Sequence, residues 1–151
     1  MPHCIITSPI ANWVIREEDG AIVAIEVTQE PPRPPETPLL TEAVRQLEAY
    51  FAGTLSSFDL PLRMEGTTFR LRCWEALCAI PYGETISYGE QAKRIGNAKA
   101  MRAVGGANHH NPICIVVPCH RVIGADGSLI GYGGGVDVKR WLLEHERSHL
   151  K

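Results

Sequence analysis

Residues Ser87 to Asn108 read Ser-Tyr-Gly-Glu-Gln-Ala-Lys-Arg-Ile-Gly-Asn-Ala-Lys-Ala-Met-Arg-Ala-Val-Gly-Gly-Ala-Asn, and this stretch decides the fold of the C-terminal half. Ser87 followed by Glu90 fits a capping box, so a helix starts there and runs to about Ile95. Gly96-Asn97 is a turn signal. A second helix is expected from Ala98 to about Asn108. Two short helices joined by a tight Gly-containing turn are a helix-turn-helix pattern. The second helix carries Lys99 and Arg102, then the small residues Ala103, Gly105, Gly106 and Ala107. A helix so poor in bulk reads in two ways: it approaches a partner such as a DNA groove closely, or it packs tightly against another helix.

Working outward, Thr67 or Thr68 can cap a preceding helix through about Ile80, with Phe69, Cys73, Trp74 and Leu77 on one face. Pro81-Tyr82-Gly83 ends it. The N-terminal half has a different texture. Residues 4–8 and 11–17 read as short strands around Ser8-Pro9. Asp19-Gly20 is a hairpin turn, and Ala21 to Val27 is the next strand. Residues 29–38 are so rich in proline that they predict a stiff exposed loop without ladder hydrogen bonds. Leu40 to Ala52 is an amphipathic helix stopped by Gly53. Residues 58–63 are expected to add a strand. The chain thus reads as α/β, with an N-terminal sheet-plus-helix domain over 1–64 and a C-terminal helical domain over 65–151.

Composition narrows the function classes. The chain has 151 residues, 44% hydrophobic and 21% charged, which is ordinary for a globular protein. No apolar run approaches the roughly 18 to 20 residues that span a bilayer, and the N-terminus lacks a signal core. A cytoplasmic protein with no membrane contact is expected. Five cysteines, an odd number without regular spacing, argue against a disulfide framework. His3 and Cys4 are too few ligands for zinc, so no metal is expected. Residues 1–64 hold four Arg against nine acids, whereas residues 65–151 hold eleven Lys and Arg against eight. A polyanion would therefore be met by the C-terminal half.

The residues that carry chemistry lie at 111–122, Asn-Pro-Ile-Cys-Ile-Val-Val-Pro-Cys-His-Arg-Val. The apolar run Ile113 to Val117 should be buried, and it delivers Pro118-Cys119-His120-Arg121 at its end. A Cys after a rigid Pro, beside His and Arg, sits in a field that favours thiolate, the form that attacks carbon. The tetrapeptide alone equally allows a buried, inert Cys. Glu146, on a C-terminal helix that Asp137 can cap, is a candidate to orient His120 as a carboxylate orients imidazole in a triad. Spacing allows Glu144 as well. Between them, Gly131-Tyr132-Gly133-Gly134-Gly135 is bare enough for backbone N–H groups to reach a flat ligand, or is a plain connector.

From about residue 65 to 146 the chain resembles the O6-methylguanine-DNA methyltransferases, particularly their bacterial members. The matching pieces are Phe69 to Trp74 with Ile80-Pro81-Tyr82-Gly83, Ser87-Tyr88-Gly89, Arg102-Ala103-Val104-Gly105 and Asn111-Pro112. They continue with Ile115 to Gly124 around Pro-Cys-His-Arg-Val, Gly131-Tyr132 with Gly134-Gly135, and Lys139 with Trp141-Leu142-Leu143 and His145-Glu146. The N-terminal half matches only in general shape. The resemblance implies a ribonuclease-H-like N-terminal lobe and a winged-helix-like C-terminal lobe.

It also implies roles. Cys119 would accept the alkyl group. His120 would take its proton through a water, and Glu146 would hold His120. Asn111 would brace the turn. Tyr88 would donate to the leaving guanine, and carbonyls near Cys119 and Val122 would read the guanine amino group. Arg102 would fill the gap left by an extruded nucleotide, on a helix whose Lys99, Ala103 and Gly105 face DNA. Tyr132 and Gly133 would wall the pocket. The implied partner is double-stranded DNA carrying O6-alkylguanine, met through the minor groove with the base flipped, by a monomer using no cofactor.

Two departures stand out. Gly133 replaces a Ser of some relatives, and His109-His110 precede Asn111 where relatives often have Gly or Ser. The competing readings are a non-catalytic protein that flags alkylated DNA, a helix-turn-helix regulator, and a Cys–His hydrolase. Methylation of Cys119 by a damaged oligonucleotide separates alkyl transfer from all of these.

Overall fold

The computed structural model describes residues 1–130 and 132–150. The chain divides into two compact units, Met1–Met64 and Glu65–Lys151.

The N-terminal unit is an antiparallel sheet of β1 (His3–Thr7), β2 (Asn12–Glu18) and β3 (Ala21–Thr28), in that order. Asp19 and Gly20 take positive φ (49° and 78°), as a two-residue hairpin turn demands, and pair Glu18 with Ala21. Helix α1 (Pro38–Phe51) packs on the sheet and buries Leu40, Ala43, Leu47 and Tyr50. It begins two residues earlier than its periodicity suggests, because Thr37 caps it through the Leu40 N–H and Pro38 fits its first turn.

Two expectations for this unit are corrected. The proline-rich segment does make ladder hydrogen bonds. Arg33, flanked by prolines but itself a donor, gives its N–H to Ile5 and receives that of Ile5 (3.0 and 2.9 Å), closing the β1 edge. Residues 58–63 do not form a strand. Pro61 offers only a carbonyl, so pairing stops at one parallel bridge between Leu62 and Ile22. Buried Gln46 ties this segment to α1 by exchanging hydrogen bonds with the Asp59 backbone, both at 2.9 Å. Both sheet edges are thus covered by single bridges, which blunts edge-to-edge association.

The C-terminal unit holds α2 (Thr68–Cys78), β4 (Ile86–Ser87), α3 (Tyr88–Arg94), α4 (Met101–His109), a 3₁₀ turn at Cys119–Arg121, β5 (Val122–Ile123) and α5 (Val136–Ser148). Thr67 caps α2 and Ser87 caps α3. Helices α2, α3 and α4 converge on a buried amide pair. Gln91 and Asn108 exchange hydrogen bonds (3.0 and 2.7 Å), and Gln91 also donates to the Cys73 carbonyl. Trp74 Nε1 donates to the Ala107 carbonyl. Removing one amide would leave its mate unsatisfied, at about 1–3 kcal/mol.

Helix α4 starts later than its sequence suggests. Residues 97–100 form a turn closed by the Ala100 N–H on the Asn97 carbonyl, and Ala100 supplies no capping oxygen. Lys99 therefore sits in the turn, not on the helix. Asp137 is likewise not a cap: Gly135, at φ 102°, holds that position, and Asp137 pairs with Arg140 inside the first turn of α5. Among the described residues no helix is long and apolar enough to cross a membrane, and no group of three His, Cys, Asp or Glu is placed to hold a metal.

Candidate active site

The run Ile113 to Val117 is apolar and mostly buried, as its composition requires, and it folds as a turn over Cys114, Ile115 and Val116. The Val116 N–H reaches back to the Cys114 carbonyl (2.8 Å) and the Val117 N–H to the Ile113 carbonyl (3.0 Å), turning the chain at Ile115. Ile115 carries φ 72°, a left-handed conformation that disfavours a β-branched residue by about 1–3 kcal/mol. Asn111 holds the turn. Its Oδ1 accepts the Ile113 N–H (3.0 Å), and its Nδ2 donates to the Val117 carbonyl (2.7 Å) and to Cys119 Sγ (3.2 Å). One amide therefore braces both ends of the strained loop and touches the sulfur it presents.

Cys119 opens the 3₁₀ turn and is 5% exposed. Its thiol lies below the usual range. A hydrogen bond from the Cys114 thiol is the largest cause; burial opposes ionisation, and the Asn111 amide and the Lys139 charge favour it. Lys139 is 1% exposed. Burial pulls its ammonium down to about 8, while the Cys119 charge holds it up. Its Nζ donates to the Ile130 carbonyl (3.0 Å) and the Tyr88 hydroxyl (3.3 Å).

Behind the thiol is a buried ion cluster. His120 Nε2 meets Glu146 Oε2 at 2.6 Å. Glu146 also accepts from Arg121 Nε (2.8 Å) and Nη2 (3.1 Å) and from the Gly83 N–H (3.1 Å). Arg121 Nη1 donates to the Ile80 carbonyl, and its guanidinium lies over Tyr82. Burial works against the Glu146 charge, but the hydrogen bonds and charges of His120 and Arg121 hold its carboxyl far below the usual range. A carboxylate there requires the proton on His120 Nε2, which leaves Nδ1 as the acceptor nitrogen. Burial keeps the imidazole neutral, against the pull of Glu146. Nδ1 is buried and has no protein hydrogen-bond partner among the described residues.

Tyr88 is the first residue of α3. Its hydroxyl donates to the Ile130 carbonyl (2.8 Å), and burial raises its pKa, so it remains a donor. The parallel pairing of Ile86 with Val122 and of Ser87 with Ile123 ties Tyr88 to the Cys119 turn. Val122 is fully buried in that bridge, and its N–H binds the Cys119 carbonyl. Tyr88 also lines a cavity of about 410 Å³ with Met101, Arg102, Gly105, Gly124 and Ile130.

Helix α4 packs one face and exposes the other. Val104, Ala107 and Asn108 are buried, and Gly105 lies against the Tyr88 ring, where a Cβ would stand 3.9 Å away. Arg102, Ala103 and Gly106 are exposed, with nothing within 4 Å of a Cβ at Gly106. Tyr132 is buried. Gly133 closes on the end of α4, where a Cβ would come 3.2 Å from the His109 carbonyl. Gly131 lies outside the described residues.

The structure thus brings Cys119, His120, Glu146 and Asn111 into one cluster, and Tyr88, Arg102 and Gly105 around one cavity. Lys99 stands apart in its turn. Two residues had no role assigned from sequence, Lys139 and Cys114, whereas Arg121, expected to favour the thiolate, is instead paired with Glu146. The signal for Lys139 was its place at the spacing of Leu142, Leu143 and Glu146, which puts a cation on the buried face of α5.

A buried thiol held by Asn111, in a unit that also carries a helix-turn-helix, fits the class of nucleic-acid-binding proteins with a cysteine nucleophile. Family models agree. The 6-O-methylguanine DNA methyltransferase DNA-binding domain matches residues 68–148, and the ribonuclease-like domain of the same family matches residues 5–64. The chain is 59% identical to the methylated-DNA–protein-cysteine methyltransferase of Mycobacterium tuberculosis, across 95% of this chain and 90% of that one. It is 50% identical to that of Mycobacterium leprae, across 99% and 95%. The crystal structure of M. tuberculosis O6-methylguanine methyltransferase superposes with TM-score 0.90 at 48% identity, covering 100% of this chain and 96% of that one. The M. tuberculosis OGT in complex with DNA gives TM-score 0.88 at 50% identity, covering 96% and 92%. The chain belongs to the 6-O-methylguanine DNA methyltransferase family, with its ribonuclease-like and DNA-binding halves.

Proposed function

We propose that this protein repairs DNA by moving the alkyl group of O6-alkylguanine onto Cys119, once per molecule. The observation that carries the reading is the Cys119 sulfur itself, buried, held by Asn111, and pulled toward thiolate by neighbouring donors and the Lys139 charge. The relatives named above are methylated-DNA–protein-cysteine methyltransferases, and one is solved with DNA.

The sulfur attacks the alkyl carbon, a carbon–sulfur bond forms, and the carbon–O6 bond breaks. His120 Nδ1 takes the thiol proton through a water, and the imidazolium is stabilised by Glu146. The guanine leaves as an anion, so donors aimed at it supply the catalysis. Tyr88 is that donor once its hydroxyl turns from the Ile130 carbonyl to the base, with the Lys139 ammonium behind it. The thioether product offers no leaving group, so the acceptor is consumed.

The target atom lies inside a duplex, and reaching it means flipping the base, at a few kcal/mol. The exposed Arg102, Ala103 and Gly106 surface suits close approach to the minor groove, with Arg102 filling the vacated stack. Lys99, in its turn, adds a phosphate contact. Tyr132 and Gly133 wall the base pocket, and a monomer suffices.

Intact mass after incubation with a duplex carrying O6-methylguanine tests this. The expected result is one methyl per protein, on the peptide containing Cys119. Binding without added mass would place the chain among damage-recognition proteins instead.

A further inference from the structure

Cys114 is a second thiol at the acceptor, and the alkyl-transfer reading gives it no fate of its own. It is 7% exposed, and its side chain shares Asn111 with that of Cys119. Both sulfurs sit on Asn111: Cys119 Sγ on its side-chain Nδ2 at 3.2 Å, and Cys114 Sγ on its carbonyl at 4.0 Å. The left-handed turn at Ile115 folds the chain between them. The other three cysteines are elsewhere: Cys4 in the N-terminal unit, Cys73 within α2, and Cys78 exposed at the end of α2.

We propose that peroxide joins Cys119 to Cys114 in a disulfide that reversibly switches the acceptor off and shields it from over-oxidation. The Cys119 thiolate attacks one peroxide oxygen, the oxygen–oxygen bond breaks, and hydroxide leaves as water after taking a proton. The resulting Cys119 sulfenic acid is attacked by the Cys114 sulfur; the sulfur–sulfur bond forms and a second water leaves. Two thiols and one peroxide thus become one disulfide and two waters. A resolving thiol in contact captures the sulfenic acid before further peroxide takes it to sulfinic acid, which thiols do not reverse. The ring encloses only Ile115, Val116, Val117 and Pro118. So short a loop, with a proline and an already strained turn, favours a labile bond that cellular thiols reopen.

The disulfide rests on geometry alone, whereas its effect on repair rests on the proposed function. The test treats the full chain with hydrogen peroxide, caps free thiols, and maps the tryptic peptide Ala103–Arg121, which holds these two cysteines and no other. The wild-type peptide is expected two hydrogens lighter and uncapped, with dithiothreitol restoring both its mass and methyl uptake. In Cys114→Ser, Cys119 is expected to gain two or three oxygens, with loss of uptake that dithiothreitol does not restore. Uptake is scaled to each untreated protein. Should Cys114→Ser fold poorly, Cys114→Ala and the wild-type peptide mass decide. Wild-type Cys119 gaining oxygens as fast as the variant, or bridging to another cysteine, would overturn the proposal. Absent methyl uptake before any peroxide would instead sink the proposed function and leave the disulfide readout standing.

Discussion

Cys4 in β1 and Cys119 at the 3₁₀ turn are the same residue at nearly the same burial, 0% and 5% exposed, yet their thiols are driven in opposite directions. Cys4 lies in an apolar sheet, where burial pushes its thiol up to about 11. Cys119 lies under the same kind of burial, but the Cys114 thiol, the Asn111 amide and the Lys139 ammonium bring it down. Burial by itself makes a cysteine inert; burial with preorganised donors makes it a nucleophile, because those donors need not be reoriented when charge appears.

The largest expected difference comes from removing each of the two cysteines in turn. Cys119→Ala should abolish methyl uptake while retaining binding to alkylated DNA, and Cys4→Ala should leave uptake unchanged. Residual transfer in Cys119→Ala, read by intact mass, would sink the assignment of the acceptor.

Next in size is the ion cluster. Glu146→Ala leaves Arg121 buried without its carboxylate, and removing one partner of a buried pair costs about 3–5 kcal/mol. The melting temperature should fall by roughly 10 °C at this chain length. A fall of only a degree or two in calorimetry would mean that water already screens the cluster.

Lys139→Met tests the cation. Single-turnover transfer should slow by roughly 10²-fold, the scale of one lost preorganised donor. The pH profile of Cys119 alkylation by iodoacetamide should move up. A slower transfer with an unmoved profile would assign Lys139 to Tyr88 alone.

The smallest effect is on stability against pH. The folded thiol of Cys4 is raised from 9.0 to about 11. Between those values the folded state holds the proton more tightly than the unfolded chain, so this contribution is full below pH 9 and is lost as pH rises toward 11. Lys139 has the opposite sign. Its folded value is lowered from 10.5 to about 8, so the unfolded chain binds more protons in that window and stability rises with pH. Between pH 9 and 11 the stability of Cys4→Ala should shift upward relative to that of the wild type, since only the Lys139 contribution remains. Parallel curves would mean that the Cys4 thiol is not dry.

Much of the fold was legible because its signals are local. Asp19-Gly20, Thr67 and Ser87 each act on the backbone within a few residues, and their turn and caps appear where the residues stand. Reading failed where a distant partner decided. Arg33 pairs because Ile5 presents an open edge, and a proline-rich composition says nothing of that. The strand expected at 58–63 failed for the converse reason, since Pro61 has no N–H to give.

At the site, the order of residues singled out candidates for the chemistry: a cysteine after proline, a histidine beside it, and a carboxylate within reach along the chain. It also set the helix-turn-helix, apart from the start of its second helix, which has no side-chain cap. The tertiary structure alone decided between Glu146 and Glu144, by burying the first against His120 and Arg121 and leaving the second exposed. It alone brought Lys139 to Tyr88 and Cys114 to Cys119. The physical reason is that a charge acts through distance and dielectric, and neither is written in the order of residues along a chain.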